Sequence, residues 1–184
     1  MINLVKGDAQ VGALIDRVMY VEKVIVWAQA SRVEAVDRAF TRATDVAQTG
    51  KATGTDRWDA RYAAERAMTA EIACALRIPQ STAAGLWRES RCLTHALPLT
   101  LAALRAGQIS ARHAQRMIDH VASIPSRSQR EFEAAALPFA VTLTVSKFDL
   151  KARLLREGLH PGSLEGYGLI DPEAAHRLVG HPDR

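Results

Sequence analysis

The sequence predicts an all-α protein, and three observations support this fold class. Alanine, the residue with the highest helix propensity, supplies 32 of the 184 residues, whereas aromatic residues make up 5%. The 11 glycines and 7 prolines are too few to interrupt most of the chain, and apolar residues recur at helical spacing. Because 48% of the residues are hydrophobic, the chain can bury a core in one or at most two domains, which excludes a disordered tail or a mini-scaffold.

Residues 1–48 are predicted to form one long helix or a helical hairpin. No proline occurs from Val11 to Ala47, and the phase of the apolar pattern changes across Gln29 to Arg32, which predicts a kink, a turn or a change of packing partner near Ser31. The segment is interpreted either as a core-facing helix or as a dimerising helix that makes the protein a homodimer. Its apolar stripe, in steps of three and four residues, comprises Val11, Leu14, Val18, Val21, Ile25 and Ala28.

A polar linker, Thr49 to Thr55, precedes a predicted helical bundle over residues 57–157. Pro98 suits a first helical turn and Gly107 a helix end, while Ser110, Ser126 and Thr144 stand where N-cap oxygens are needed. The caps and breakers together predict helices at about 57–76, 81–96, 98–106, 111–122, 128–140 and 145–157.

Residues 158–184 are predicted to form a linker and a short C-terminal helix. The stretch from His160 to Gly168 is rich in glycine and proline, and its glycine spacing does not match a phosphate-binding fingerprint. Asp171 as N-cap and Pro172 in the first turn then open a helix that ends near Val179.

The cysteines and the apolar segments indicate a cytoplasmic protein. Cys74 and Cys92 lie in apolar helical contexts without C-x-x-C spacing, so two buried free thiols are favoured over a zinc site, and a disulfide between them is a minor alternative. The longest apolar run, Val24 to Ala28, is far shorter than a membrane span. No signal peptide is recognised, no cofactor is expected and no small-molecule substrate is identified.

Positive charge is concentrated in the middle of the chain. Residues 57–130 contain 11 Lys or Arg against 5 Asp or Glu, whereas the remainder is slightly acidic. Arginine accounts for 19 of the 24 basic residues, and its guanidinium fork suits phosphate and base edges. The distribution points to nucleic acid as a partner.

Within this basic part, residues 71–93 have the spacing of a helix-turn-helix. Ile72, Ala73 and Leu76 would face the core from the first helix, Ile78 would fill the turn, and Leu86 with Trp87 would anchor the second helix. The residues at the start of the second helix are predicted to reach a major groove; they are Gln80, Ser81 and Thr82.

Three departures from the usual motif favour phosphate contacts over base readout. Arg77 occupies the position of a left-handed glycine, Pro79 replaces a Ser or Thr cap, and residues 83–85 carry no hydrogen-bonding side chain. Two ordinary packed helices with a solvated arginine face remain an equal alternative. The predicted phosphate-binding residues are Arg77, Arg88, Arg91, Arg112 and Arg116.

No catalytic constellation is recognised. His113 and His120 lie seven residues apart, but they lack the i,i+4 zinc spacing and a third ligand, so packed or capping histidines are expected, with His113 in the first turn after Ser110. Glu131 and Glu133 are interpreted as part of a solvated helix face. An HNH nuclease centre needs histidines and usually an asparagine, and Asn3 is the one asparagine here.

Two segments carry a family resemblance: one runs from Glu71-Ile72-Ala73 to Leu97-Pro98-Leu99-Thr100, and the other covers residues 104–114. They resemble the actinobacterial 13E12 repeat family, also called domain of unknown function 222, over roughly Arg17 to His181. The resemblance implies a helical domain that commonly precedes an HNH endonuclease module, and residues 164–170 resemble the approach to that module.

A looser resemblance extends to the central domain of ParB-type partitioning proteins. In that domain a helix-turn-helix is followed by a Gly-x-x-Ser-x-x-His-Ala segment, which here is formed by Gly107, Ser110, His113 and Ala114. A later helix resembles the one opening at Thr144. The resemblance implies DNA binding.

The leading hypothesis is therefore a non-catalytic helical domain that binds double-stranded DNA mainly through phosphates, resembling the targeting half of a 13E12-type nuclease. The alternative is a protein-interaction or oligomerisation module that uses the Val11–Ala28 stripe. A third hypothesis is the remnant of a truncated mobile-element gene.

Overall fold

The computed structural model describes residues 2–49 and 55–159, and every regular element in these ranges is helical, which confirms the all-α fold class. A long N-terminal helix is followed by a helical bundle, as predicted. The elements are α1 (Ile2–Thr49), α2 (Thr55–Leu76), α3 (Gln80–Arg91), a π-helical turn (Cys92–Ala96), α4 (Pro98–Arg105), α5 (Ala111–Val121), α6 (Ser126–Thr142) and α7 (Val145–Leu159).

The N-terminal segment is one continuous helix of 48 residues rather than a hairpin. At Ser31 the hydroxyl donates to the carbonyl of Trp27 and the helix continues. The packing partner changes after Val33 rather than at Ser31: Val26, Ala30 and Val33 pack in or against the main core, whereas Phe40 is buried outside that cluster and stacks on Trp87 of α3.

The main core lies where α4, α5, α6 and α7 meet the middle of α1 and the π-helical turn. Apolar residues at three- and four-residue spacing on each of these helices supply it, as the amphipathic pattern requires. Its largest completely buried hydrophobic side chains are Leu97, Leu104, Met117, Val121, Phe132 and Phe148.

Local signals predicted most helix ends correctly. Pro98 is the first residue of α4, Gly107 follows its end with φ +68°, and the Ser110 side chain caps α5. Gly107 also packs closely on the stem of Lys23, since a Cβ there would lie 3.0 Å from the Lys23 Cγ. The predicted cap at Ser126 is wrong: α6 begins at Ser126, and Pro125 occupies the N-cap position without a side-chain bond.

The predicted helix at 81–96 has a different geometry in its last turn. The predicted 81–96 helix is α-helical only to Arg91 and continues as the π-helical turn, in which the Leu97 N–H donates to the Cys92 carbonyl at 3.0 Å. The Thr144 carbonyl accepts from the Phe148 N–H at the start of α7. The predicted linker residues 50–54 and the predicted helix from Asp171 lie outside the described residues.

The two cysteines are free thiols, but the prediction that both are buried is wrong for Cys74, which is exposed on α2. Cys92 is half-buried, and its burial, together with the nearby Glu133 carboxylate, raises the pKa of its thiol. Among the helices of the described ranges, none is long and apolar enough to cross a bilayer.

Candidate nucleic-acid interface

The turn between α2 and α3 is set by Arg77, which adopts the left-handed conformation with φ 55°, as its position in the sequence predicts. The Ile78 N–H donates to the Ala73 carbonyl at 3.0 Å and the Arg77 N–H donates to the Cys74 carbonyl at 3.2 Å. This pair of bonds is a Schellman motif, which ends a helix and reverses the chain within a few residues. Residues 77–79 therefore suffice to connect the two helices.

Replacing Arg77 with glycine should stabilise the protein by about 0.5–1 kcal/mol, because glycine adopts positive φ without the Cβ clash. Thermal denaturation measures this gain. Arg77→Ala, which keeps the strain and loses the guanidinium, is the matched control and should show no gain. Equal melting temperatures for the glycine and alanine variants would contradict the expectation.

The first turn of α3 is solvent-exposed and lacks a side-chain cap. Pro79 occupies the N-cap position with φ −58° and ψ 147°, and no side chain accepts from the first amides. Gln80, Ser81 and Thr82 are all exposed. Free amide N–H groups at a helix start, together with the helix dipole, favour an anion.

Helix α3 is held by its opposite face. Ala83 and Ser90 are buried, and the Trp87 ring stacks on Phe40 of α1 with centroids 4.7 Å apart and planes 12° from parallel. Trp87 and Leu86 are half-buried, in keeping with their predicted anchoring role. The prediction for Leu76 is wrong, since its side chain is 49% exposed at the end of α2.

Both predicted arginine pairs lie on exposed helix faces. Arg88 and Arg91 are one turn apart on α3, and Arg112 and Arg116 are one turn apart on α5. Helices α3 and α5 each pack against the π-helical turn and lack extensive contact with each other. The structure therefore brings the arginines together in two pairs rather than one continuous cluster.

The arginines differ in their acidic neighbours. Arg116 lies 3.3 Å from the Asp119 carboxylate and 3.8 Å from that of Asp149. Arg77, Arg88, Arg91 and Arg112, by contrast, have no carboxylate within 4 Å among the described residues. Four of the five predicted arginines thus keep their charge available for a partner.

His113 is a capping residue, as expected. Its Nδ1 accepts from Ser110 while its own backbone N–H donates to the Ser110 hydroxyl, which forms a capping box. Its Nε2 lies 3.0 Å from the Leu143 carbonyl, which can only accept, so Nε2 carries the hydrogen. Both ring nitrogens are therefore engaged: Nδ1 closes the cap of α5, and Nε2 holds α5 to the turn before α7.

His120 is buried and its Nε2 donates to Asp149 at 3.0 Å. The described residues contain no group of three or more His, Cys, Asp or Glu side chains that could hold a metal ion. The bond from His120 to Asp149 ties α5 to α7, and Arg116 approaches the same carboxylate.

Glu133 contradicts the sequence analysis, which placed it on a solvated face. It is 1% exposed, and its Oε1 accepts from the backbone N–H of Thr100 at 2.7 Å and from the Thr100 hydroxyl at 2.8 Å. The carboxylate from α6 thus caps the start of α4. A signal was present: Glu133 shares the three- and four-residue spacing of Ala136, Leu137 and Ala140, which line the core. Glu131 is exposed as expected.

Burial and hydrogen bonding have opposite effects on the pKa of the Glu133 carboxyl, and burial has the larger effect. The bonds from Thr100 lower the pKa of the carboxyl, but desolvation raises it more, so the pKa of Glu133 lies above its ordinary value. The group consequently supports α4 without offering a reactive centre at the surface.

The sequence matches the model of one known protein family. The family model described as "Domain of unknown function (DUF222)" matches residues 24–177, which is most of the chain. The chain belongs to this family. No curated protein and no solved structure matches.

The DUF222 match covers the candidate interface completely, since α2 to α7 all lie within it. It begins at Val24, one residue after Lys23, whose stem packs on Gly107. The part of α1 that precedes the bundle lies outside the match.

Ion pairs within the DUF222 region neutralise other arginines of the basic segment. Arg105 of α4 forms a two-pronged pair with Glu34 of α1, with N–O distances of 2.8 and 2.9 Å. Arg61 pairs with Glu65 at 3.0 Å within α2. The net charge of the sequence segment therefore overstates its free cationic surface, which includes the turn, α3, α5 and, on α6, Arg127 and Arg130.

Proposed function

We propose that this DUF222 domain is a non-catalytic DNA-binding module that contacts double-stranded DNA mainly through its phosphates. The observation that carries the proposal is a set of exposed arginines on the α2–α3 turn, α3 and α5 that have no carboxylate within 4 Å in the described part of the chain: Arg77, Arg88, Arg91 and Arg112. Guanidinium groups of this kind release counterions on binding a duplex backbone.

Geometry at the start of α3 supports the same role. Its uncapped amides follow a turn that carries Arg77, so N–H donors and a guanidinium lie at one end of the helix. Gln80, Ser81 and Thr82 add polar side chains there. Because Ala83 is buried and positions 84 and 85 carry no donor, this surface favours backbone contact over sequence readout.

Arg116 is assigned a smaller role, because Asp119 and Asp149 compete for its guanidinium. A targeting role, as in the N-terminal part of 13E12-type HNH endonucleases, is the biological setting that we propose for such binding. Phosphate contacts would hold a chain near DNA regardless of sequence.

Changing both Arg88 and Arg91 to alanine should weaken binding to random-sequence duplex DNA by about ten- to a hundredfold at low salt. The slope of log affinity against log salt should fall by about 2, since each lost phosphate contact removes about 0.9. Fluorescence anisotropy on two unrelated duplexes measures both quantities, and both duplexes should be affected equally.

Arg127 and Arg130 provide a matched control. They are exposed, have the same three-residue spacing and lie on α6, which has no extensive contact with α3. Their double alanine variant removes the same charge and should bind nearly as well as the wild type. Equal losses in the two double variants would show a nonspecific charge effect, and absence of wild-type binding at low salt would refute the proposal.

A further inference from the structure

The stretch of α1 from Gln10 to Ile25 is largely apolar, and the rest of the described chain leaves it uncovered. Every residue from Gln10 to Ile25 is exposed, including Leu14 at 63% and Val18 at 62%. Soluble monomers rarely expose such a continuous apolar surface. Because no described residue outside α1 covers this surface, a packing partner for it is expected.

Helix stability leads to the same conclusion. Isolated helices depend on packing, and β-branched residues such as Val11, Val18 and Ile25 lower helix propensity. A segment with this composition gains stability when its apolar stripe is buried.

The stripe fits a heptad pattern. Positions a are Val11, Val18 and Ile25, and positions d are Leu14, Val21 and Ala28. β-Branched residues at all three a positions, with leucine at the first d position, are typical of two parallel strands. Val21 and Ala28 at the other d positions extend the apolar contact without specifying the strand number.

Charges flanking the stripe favour a second copy of the same chain in parallel register. Arg17 occupies position g and Glu22 occupies position e of the next heptad. In a parallel pair each g residue faces the following e residue of the other helix, so Arg17 faces Glu22 twice by symmetry. An antiparallel pair would bring g against g instead, which loses this attraction.

The bundle does not obstruct such a pair. Val26 and Ala30, which α1 buries against the main core, lie roughly 130° and 170° around the helix from the centre of the stripe. Ile25 remains 43% exposed beside them. A second helix can therefore cover the stripe while the intramolecular contacts persist.

We propose that two copies of the chain associate through a parallel, in-register coiled coil over Val11–Ala28. The pairing does not depend on DNA binding, and it would present two copies of the arginine-bearing helices on one particle.

Sedimentation equilibrium on the full chain tests the association. The wild type should have a mass near twice 20.1 kDa. Val18→Asp places a charge at the centre of the stripe and should weaken the dimer more than about a hundredfold. Val46→Asp is the matched control, because Val46 is an exposed valine on the same helix but outside the stripe, and its dimer should persist.

A charge exchange tests the register. Arg17→Glu alone and Glu22→Arg alone each create like-charge pairs and should weaken the dimer about tenfold. The double variant Arg17→Glu/Glu22→Arg restores opposite charges and should return affinity to within about twofold of the wild type. Unchanged helicity by circular dichroism confirms that these exposed substitutions leave the fold intact.

The parallel orientation of the two helices is tested by Val11→Cys in a Cys74→Ser background. In a parallel, in-register pair the two side chains at position 11 lie side by side, so mild oxidation should give a covalent dimer. A monomeric wild type, a larger assembly, failure of the double charge variant to recover, or failure of the 11–11 cross-link would each overturn the proposal. A monomer would leave the DNA proposal intact, since its test concerns Arg88 and Arg91.

Discussion

Replacing Phe40 with alanine should lower the free energy of unfolding by about 3–5 kcal/mol. Phe40 is 2% exposed and its ring lies flat against Trp87, so truncation removes buried area and leaves a cavity between α1 and α3. Urea denaturation followed by circular dichroism measures the loss.

Phe40→Leu separates the cavity from the ring stack. Leucine fills much of the space but cannot stack, so a loss of about 1–1.5 kcal/mol is expected. A loss under about 1 kcal/mol for the alanine variant would show that Phe40 does not anchor α3. Since α3 carries Arg88 and Arg91, the same contact positions the candidate interface.

Glu133→Ala should destabilise the protein by about 2–4 kcal/mol. The substitution removes the acceptor of two buried donors on Thr100, and it leaves a void in the core. Relief of a buried charge offsets part of this cost. Denaturant unfolding at neutral pH gives the value, and a loss below about 1 kcal/mol would contradict the capping role.

The raised pKa of Glu133 adds a pH dependence with a defined sign. Because the folded protein holds this proton more tightly than the unfolded chain, the contribution of Glu133 to stability is greatest below the ordinary carboxyl pKa of about 4.3 and is lost as the pH rises through the folded value.

Glu133→Gln keeps an oxygen for Thr100 but does not titrate, so its stability relative to the wild type should improve as the pH rises across that window. Unfolding free energies at several pH values, compared between the two proteins, measure this difference. A difference that is constant with pH would contradict the raised pKa.

Local sequence signals were sufficient for the fold class and for several helix ends. Pro98, Gly107 and Ser110 act on neighbouring backbone groups, so their effects can be predicted without knowing the tertiary structure. The left-handed conformation of Arg77 was likewise predicted from its place in the turn.

Contacts between helices that are distant in sequence determine which side chains are buried and which charges are paired, and local signals do not predict them. Leu76 was assigned from helix-turn-helix spacing and Glu133 from its charge, yet Leu76 ends a helix in solvent and Glu133 meets Thr100 from 33 residues away. For the candidate interface, the Arg116–Asp119 pair follows from helical spacing, whereas Asp149 comes from another helix and was not predicted.

The π-helical turn lets the chain hold one extra residue between Arg91 and Leu97 with little change of helical phase. Its i to i+5 closure accommodates one more residue than an α-helical turn would. A single deletion within Cys92–Ala96 can be absorbed by closing an α-helical turn, whereas a single insertion has no such outlet and would rotate the downstream chain by about 100°. Thr100 would then lose its alignment with Glu133, so this short segment tolerates a deletion better than an insertion.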